Sequence, residues 1–72
     1  MKRTHVISSN IESIGYDPEL NALEIEFHSG GIYQYANVSQ DIYNALMNAG
    51  SHGEYFAQNI KNNVRYECTK IS

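Results

Sequence analysis

Residues 22–28 read ALEIEFH, and this short run constrains the fold more than any other. Leu23, Ile25 and Phe27 alternate with Glu24, Glu26 and His28, a period of two that puts all the apolar groups on one side of an extended strand. Such a strand must press its apolar face on a second layer while its carboxylate face stays wet, which is the habit of antiparallel sheets. Upstream, NIESIGY is a weaker strand in which Ile14 and Tyr16 share a face, and DPELN follows as a turn with Pro18 where a fixed φ is favoured. Downstream, HSGGI supplies turn glycines and IYQYA forms a third strand. The expected sheet is a three-stranded antiparallel meander.

From Val38 the period lengthens to about 3.6, with Ile42, Ala45, Leu46 and Ala49 on one face. Ser39 is placed to cap this helix, Val38 to staple onto Tyr43, and Gly50 to end it as a C′ residue. A second helix starts at once: Ser51 and Glu54 make an S-x-x-E capping box, and Phe56 and Ile60 continue the buried stripe. In the tail, Val64, Tyr66 and Cys68 alternate with Arg65, Glu67 and Thr69, predicting a short C-terminal strand. The fold class is therefore α+β: a three-stranded meander followed by two helices on one sheet face. Residues 1–72 make a single domain with a core over about 7–66, while 1–6 and 67–72 are expected to be less ordered.

The orientation of Tyr33 and Tyr35 depends on the length of the loop before them, because side chains alternate. A two-residue loop at Ser29 and Gly30 pairs Phe27 with Ile32 and Glu26 with Tyr33, which exposes both tyrosines, keeps Ile32 in the core and buries Gln34. A three-residue loop, His28–Gly30 with a G1 bulge or Ser29–Gly31, turns both rings inward beside Phe27, Ile25 and Leu23 and leaves Gln34 in water. Burying an amide without partners costs on the order of 1–3 kcal/mol, whereas two tyrosine rings bring a large apolar area. The inward register is favoured.

Charge argues against several functions. The net charge is −3, and no Lys or Arg lies between Thr4 and Ile60; the basic residues are Lys2, Arg3, Lys61, Arg65 and Lys70. A domain that binds nucleic acid through its surface charge alone carries a basic patch and a high pI, and this chain has a pI near 5.4. Cys68 is the sole cysteine, without a CxxC partner, and reads as a plain reduced thiol. His5, His28 and His52 lie more than 20 residues apart, so no metal-ligand spacing is present and neither a metal nor a cofactor is expected. No apolar run reaches the roughly 20 residues of a membrane span and the N-terminus lacks the apolar core of a signal peptide, which points to the cytoplasm.

No constellation supports an enzyme. Ser51 and His52 are adjacent, but neighbours in sequence rarely orient as nucleophile and base, and no third member accompanies them. Gly53 and the helix start could attract an anion, yet Glu54 would repel it, so SHG reads as a capping box. Glu24 and Glu26 share a strand face as solubilising groups. What remains as a candidate nucleic-acid contact is Tyr33 and Tyr35 for stacking, with Lys61 and Arg65 for phosphate.

The order SSNIESIGYD, LEIEF with glycines, YQY, then VSQDIYNALMNAGSHGEYF and NIK resembles the KTSC domain, a family named for its similarity to a C-terminal segment of some lysyl-tRNA synthetases. The resemblance runs over roughly residues 7–66 and rests on Tyr33-x-Tyr35, Tyr43-x-x-Leu46-x-x-Ala49 and Ser51-x-Gly53-x-Tyr55-Phe56. Ser39 departs from the proline usual in the family at that place, though serine caps a helix equally well. The resemblance implies a small, largely uncharacterised module with RNA binding as the standing suggestion; the alternative is a protein-interaction module that associates through a sheet edge or the polar sheet face.

Overall fold

In the computed structural model, which describes residues 2–72, the sheet has five strands rather than the three expected. They are β1 (Arg3–His5), β2 (Ile11–Asp17), β3 (Ala22–Phe27), β4 (Ile32–Tyr35) and β5 (Cys68–Lys70), ordered β1-β2-β3-β4-β5 with every neighbour antiparallel. Helices α1 (Gln40–Asn48) and α2 (His52–Asn59) intervene between β4 and β5. Met1, the first residue of the expected domain, lies outside the described residues. Both strands beyond the meander come from the chain ends: β1 at residues 3–5 has no counterpart in the pattern, while β5 at residues 68–70 is the predicted C-terminal strand, shifted toward the end of the chain.

The expected central meander is present in the inward register. Tyr33 pairs with Ile25 and Tyr35 with Leu23, while Gln34 opposes Glu24 on the other face. The loop is the three-residue form His28–Gly30. The Phe27 N–H donates to Gly31 O at 2.9 Å, the Gly30 N–H donates to Phe27 O at 2.8 Å, and Gly30 adopts φ 102°. That left-handed conformation is the one a G1 bulge needs and only glycine adopts freely.

The β2–β3 turn is closed by Asp17, whose carboxylate accepts from the N–H groups of Glu19 and Leu20, with Asn21 left-handed at φ 52°. A register shift between Ile11 and Ser13 inserts Glu12 as an extra residue, so Ile11 and Ile14 reach the same face despite their odd spacing. Both are fully buried, together with Leu23, Ile25, Val38, Leu46 and Ile60.

Ser39 caps α1 by accepting from the Ile42 N–H at 3.3 Å, and Ser51 caps α2 by accepting from the Glu54 N–H at 3.2 Å. The return bond of the capping box, in which the Ser51 N–H would donate to the Glu54 carboxylate, is not made among the described residues. Gly50 also differs from expectation, since it is not left-handed. Instead α1 ends with Ala49 extended and its N–H donating to Leu46 O at 3.3 Å, and the same carbonyl accepts from His52 Nδ1 at 2.9 Å, the ring donating as the Nδ1–H tautomer. Tyr43 stacks on Tyr16, centroids 4.7 Å apart.

The C-terminal strand begins later than its alternation suggests. Val64 is fully exposed, and residues 60–66 form a turn in which Asn62 is left-handed at φ 60° and the Tyr66 N–H donates to Asn63 O. Tyr66, 8% exposed, anchors this turn in the core. Only from Cys68 does the chain pair with β4.

A candidate cleft between the sheet and the second helix

The helix-covered face is buried over β2 and β3 and opens toward β4 and β5, leaving a cavity of about 480 Å³. Its walls carry five aromatic side chains: Phe27, Tyr33, Tyr35, Phe56 and Tyr66. Four of these brace one another edge to face, Tyr33 on Phe27 at 5.7 Å, Phe27 on Phe56 at 5.6 Å and Phe56 on Tyr35 at 5.4 Å, the arrangement that ring quadrupoles favour. Gly31 lies beside the Tyr33 ring, where an added Cβ would come within 2.9 Å of Cε1. The hairpin glycines therefore make the turn and also leave space for this ring.

The polar lining comes from three segments. Asn10 lies in the β1–β2 loop, Ser29 in the β3–β4 hairpin, and Lys61, Asn62 and Asn63 in the turn after α2. Cys68 enters from β5, exposed and unbridged. Asn63 is committed to the fold, its Nδ2 donating to Asn59 O and its Oδ1 accepting from the Arg65 N–H. Asn10 Oδ1 accepts from the Ser8 hydroxyl at 3.0 Å. The same carboxamide fills the space beside Gly53, where an added Cβ would overlap it, so the start of α2 is packed by a side chain of the fold.

Of the four candidate contact residues, the structure brings together Tyr33, Tyr35 and Lys61 in this cleft and leaves Arg65 outside its lining. Tyr35 is only 6% exposed and Tyr33 is half-buried, so the pair is not an open stacking platform but two walls of a recess. Burial pushes the Tyr35 hydroxyl well above the usual phenol range, with the Cys68 thiol beside it adding to the shift. Tyr35 therefore stays protonated.

The opposite sheet face is polar and tied together. Arg3 pairs with Glu24 through Nη1, and its Nε donates to Ser13 Oγ at 3.1 Å. Ser13, 1% exposed, donates in turn to Glu26 Oε1 at 2.8 Å. Gly15 lies between Arg3 and Glu24 in the register and has no side chain to block the guanidinium. At the end of this face, Glu12 on the bulge meets His5 Nδ1 at 3.1 Å and His28 Nδ1 at 2.7 Å, while His28 Nε2 lies 2.8 Å from Ser8 O. This meeting has no local signature, since the three residues come from separate segments. Among the described residues, no group of three or more His, Cys, Asp or Glu side chains is arranged to hold a metal. No helix among them is long and apolar enough to cross a membrane.

Comparison with known proteins agrees with this architecture. The model of the KTSC domain matches residues 7–66. A crystal structure of a KTSC domain protein from Yersinia pestis superimposes with a TM-score of 0.92 at 42% identity, covering 99% of this chain and 97% of that one. An uncharacterized protein of Stutzerimonas stutzeri (strain A1501) is 46% identical over 61 residues, 85% of this chain and 86% of that protein. A lysine–tRNA ligase of Nostoc sp. is 41% identical over 59 residues, which are 82% of this chain but 10% of the ligase.

Proposed function

The chain belongs to the KTSC domain family, and we propose that it is a non-catalytic, cytoplasmic RNA-binding accessory module whose contact site is the aromatic cleft. The observation that carries this reading is the convergence of Tyr33, Tyr35 and Lys61 on one recess, although Lys61 lies 26 positions after Tyr35 in the sequence. Single-stranded RNA is recognised by aromatic stacking on splayed bases with cations at the phosphates. A related segment forms a tenth of a lysine–tRNA ligase, a protein whose named substrate class is tRNA, and this favours RNA over other polyanions. The net charge of −3 makes the binding local, since the chain cannot track a long phosphate backbone.

Titration of a fluorescein-labelled single-stranded RNA at low salt tests this. Micromolar binding that weakens with added salt and with Lys61→Glu is expected; absence of binding at 100 μM protein would sink the reading.

A second reading, a protein-interaction module with no nucleic-acid binding, is favoured by one feature. The outer edge of β5 carries no strand among the described residues, which leaves backbone groups able to accept a strand from a second chain. Its three-residue length limits the hydrogen bonds available there.

A further inference from the structure

Nothing so far fixes how much of an RNA chain the cleft accepts, and its chemistry bears directly on this. The chain carries eight Asp and Glu residues, yet none lines the cleft, and among the described residues the one formal charge there is Lys61. The recess is thus a locally cationic site in an acidic protein, complementary to an anion. Five aromatic walls and a volume of about 480 Å³, within the ~300–1,000 Å³ of small-molecule sites, suit a planar ring with a polar edge. Asn62 stands next to Lys61 at the rim, held left-handed, and its carboxamide makes no hydrogen bond among those of the described residues. A carboxamide is the side chain that pairs donor and acceptor together with a base edge.

We infer that the cleft is a one-nucleotide site, taking a single unpaired base against Tyr33 and Tyr66 with its phosphate at Lys61 and its polar edge toward Asn62. This rests on the RNA-binding reading for its biological ligand but makes a separate claim about stoichiometry and place. The shared chemistry, a base bearing one phosphate, has two sources: a free mononucleotide, or one nucleotide turned out of a single strand. Beyond that nucleotide the surface supplies little, since Arg65 lies outside the cleft lining and the opposite sheet face carries Glu12, Glu24 and Glu26. Lengthening an oligonucleotide should therefore add little affinity.

The experiment is a ¹⁵N–¹H NMR titration of the full chain with AMP, GMP, CMP and UMP, with the matching nucleosides, and with single-stranded RNAs of two, four and eight nucleotides. Expected are shifts confined to the amides around Tyr33, Lys61, Asn62 and Tyr66. At least one monophosphate should bind at least fivefold more tightly than its nucleoside, and affinity should change less than threefold from dimer to octamer once the number of sites is counted. Lys61→Gln, a rim substitution that leaves the core intact, should remove the monophosphate preference, and Tyr33→Phe should preserve it. An octamer that binds with no shift at the cleft, or with affinity unchanged in Lys61→Gln, overturns the one-nucleotide site while leaving RNA binding standing. No binding by any RNA overturns the broader reading, and mononucleotide binding alone at the cleft then identifies the free nucleotide as the ligand.

Discussion

The two faces of this sheet are built from the same strands and solve opposite problems. The helix-covered face is held by apolar area: Ile11, Ile14, Leu23 and Ile25 are fully buried under Val38, Leu46 and Ile60, and an edge-to-face chain of rings closes the β5 side. The open face is held by charge pairs laid across the strands, Arg3 to Glu24 and Glu26, with Glu12 between two histidines. Non-directional burial tolerates a recess at its margin, because rings can wall a cavity and still brace one another. Charge pairing tolerates none, because each buried polar group must find its partner. The candidate site accordingly lies on the apolar face, and the polar face is spent on attaching an edge strand.

The sharpest way to break this contrast is to empty the covered face. Phe56 is 2% exposed and braces both Phe27 and Tyr35, so Phe56→Ala should cost about 3–5 kcal/mol. In a 72-residue domain whose whole stability is about 5–10 kcal/mol, the urea midpoint should fall by about a third or more, and the cooperative transition disappears at the low end of that range. A loss under about 1 kcal/mol would mean that the ring chain is not what closes the cleft.

On the open face the corresponding change is Arg3→Ala, which leaves Glu24 paired with nothing at 12% side-chain exposure. Arg3 is itself 28% exposed, so solvent screening places the cost at about 1–2 kcal/mol, well below that of Phe56. Replacing both partners, as in Arg3→Met with Glu24→Leu, should recover most of it. If Arg3→Ala costs nothing, β1 is held by its backbone ladder alone; if the double variant is as unstable as Arg3→Ala, the loss comes from Arg3's contacts with Ser13 and Glu26 and not from stranding Glu24.

These two faces were not equally legible in the sequence. ALEIEFH and the YQY parity argument identify the covered face, because both concern a period-two pattern with one costly alternative, a buried Gln34. Ser39 and Ser51 announce the helix starts for an equally local reason. By contrast β1 and β5 are three residues each, too short to show a period, and β1 depends on Arg3 reaching Glu24, 21 positions away. Val64, Tyr66 and Cys68 alternate as a strand would, but leaving α2 requires a turn that the left-handed Asn62 makes, and only Tyr66 is drawn inward. The cleft itself exists because that turn folds back on the β4 side of the sheet, a long-range event with no local signature.

A finer test returns to the covered face. In Gly31→Ala the new methyl would press on Tyr33 Cε1, and the ring, half-buried at the mouth, can turn aside. Stability should fall by less than about 1 kcal/mol, as for a tolerated change at a site of ordinary conformation, while cleft resonances shift and ligand affinity falls. Unchanged Tyr33 resonances would show that the ring is not seated against Gly31.

The smallest expected effect is a pH dependence that belongs to the open face. Both ring nitrogens of His28 face acceptors, the Glu12 carboxylate at 2.7 Å and Ser8 O at 2.8 Å, and a neutral imidazole has one N–H to give them. The imidazolium alone satisfies both, and the bond to the Ser8 carbonyl, then the Glu12 carboxylate and the more distant Glu26, raise the His28 pKa above its ordinary value. A raised folded-state value means that this stabilisation is fully present below the unfolded pKa of about 6.5 and is lost as pH rises through the folded one. Thermal midpoints should therefore fall across that interval in the wild type, and the fall should be smaller in His28→Gln. The His28 backbone N–H also donates to Asn10 O, and Asn10 and Ser29 are both at the cleft rim, so the loosened contact lies next to the candidate site. Identical pH profiles for wild type and His28→Gln would show that the imidazolium is not what ties the β1–β2 loop to the β3–β4 hairpin.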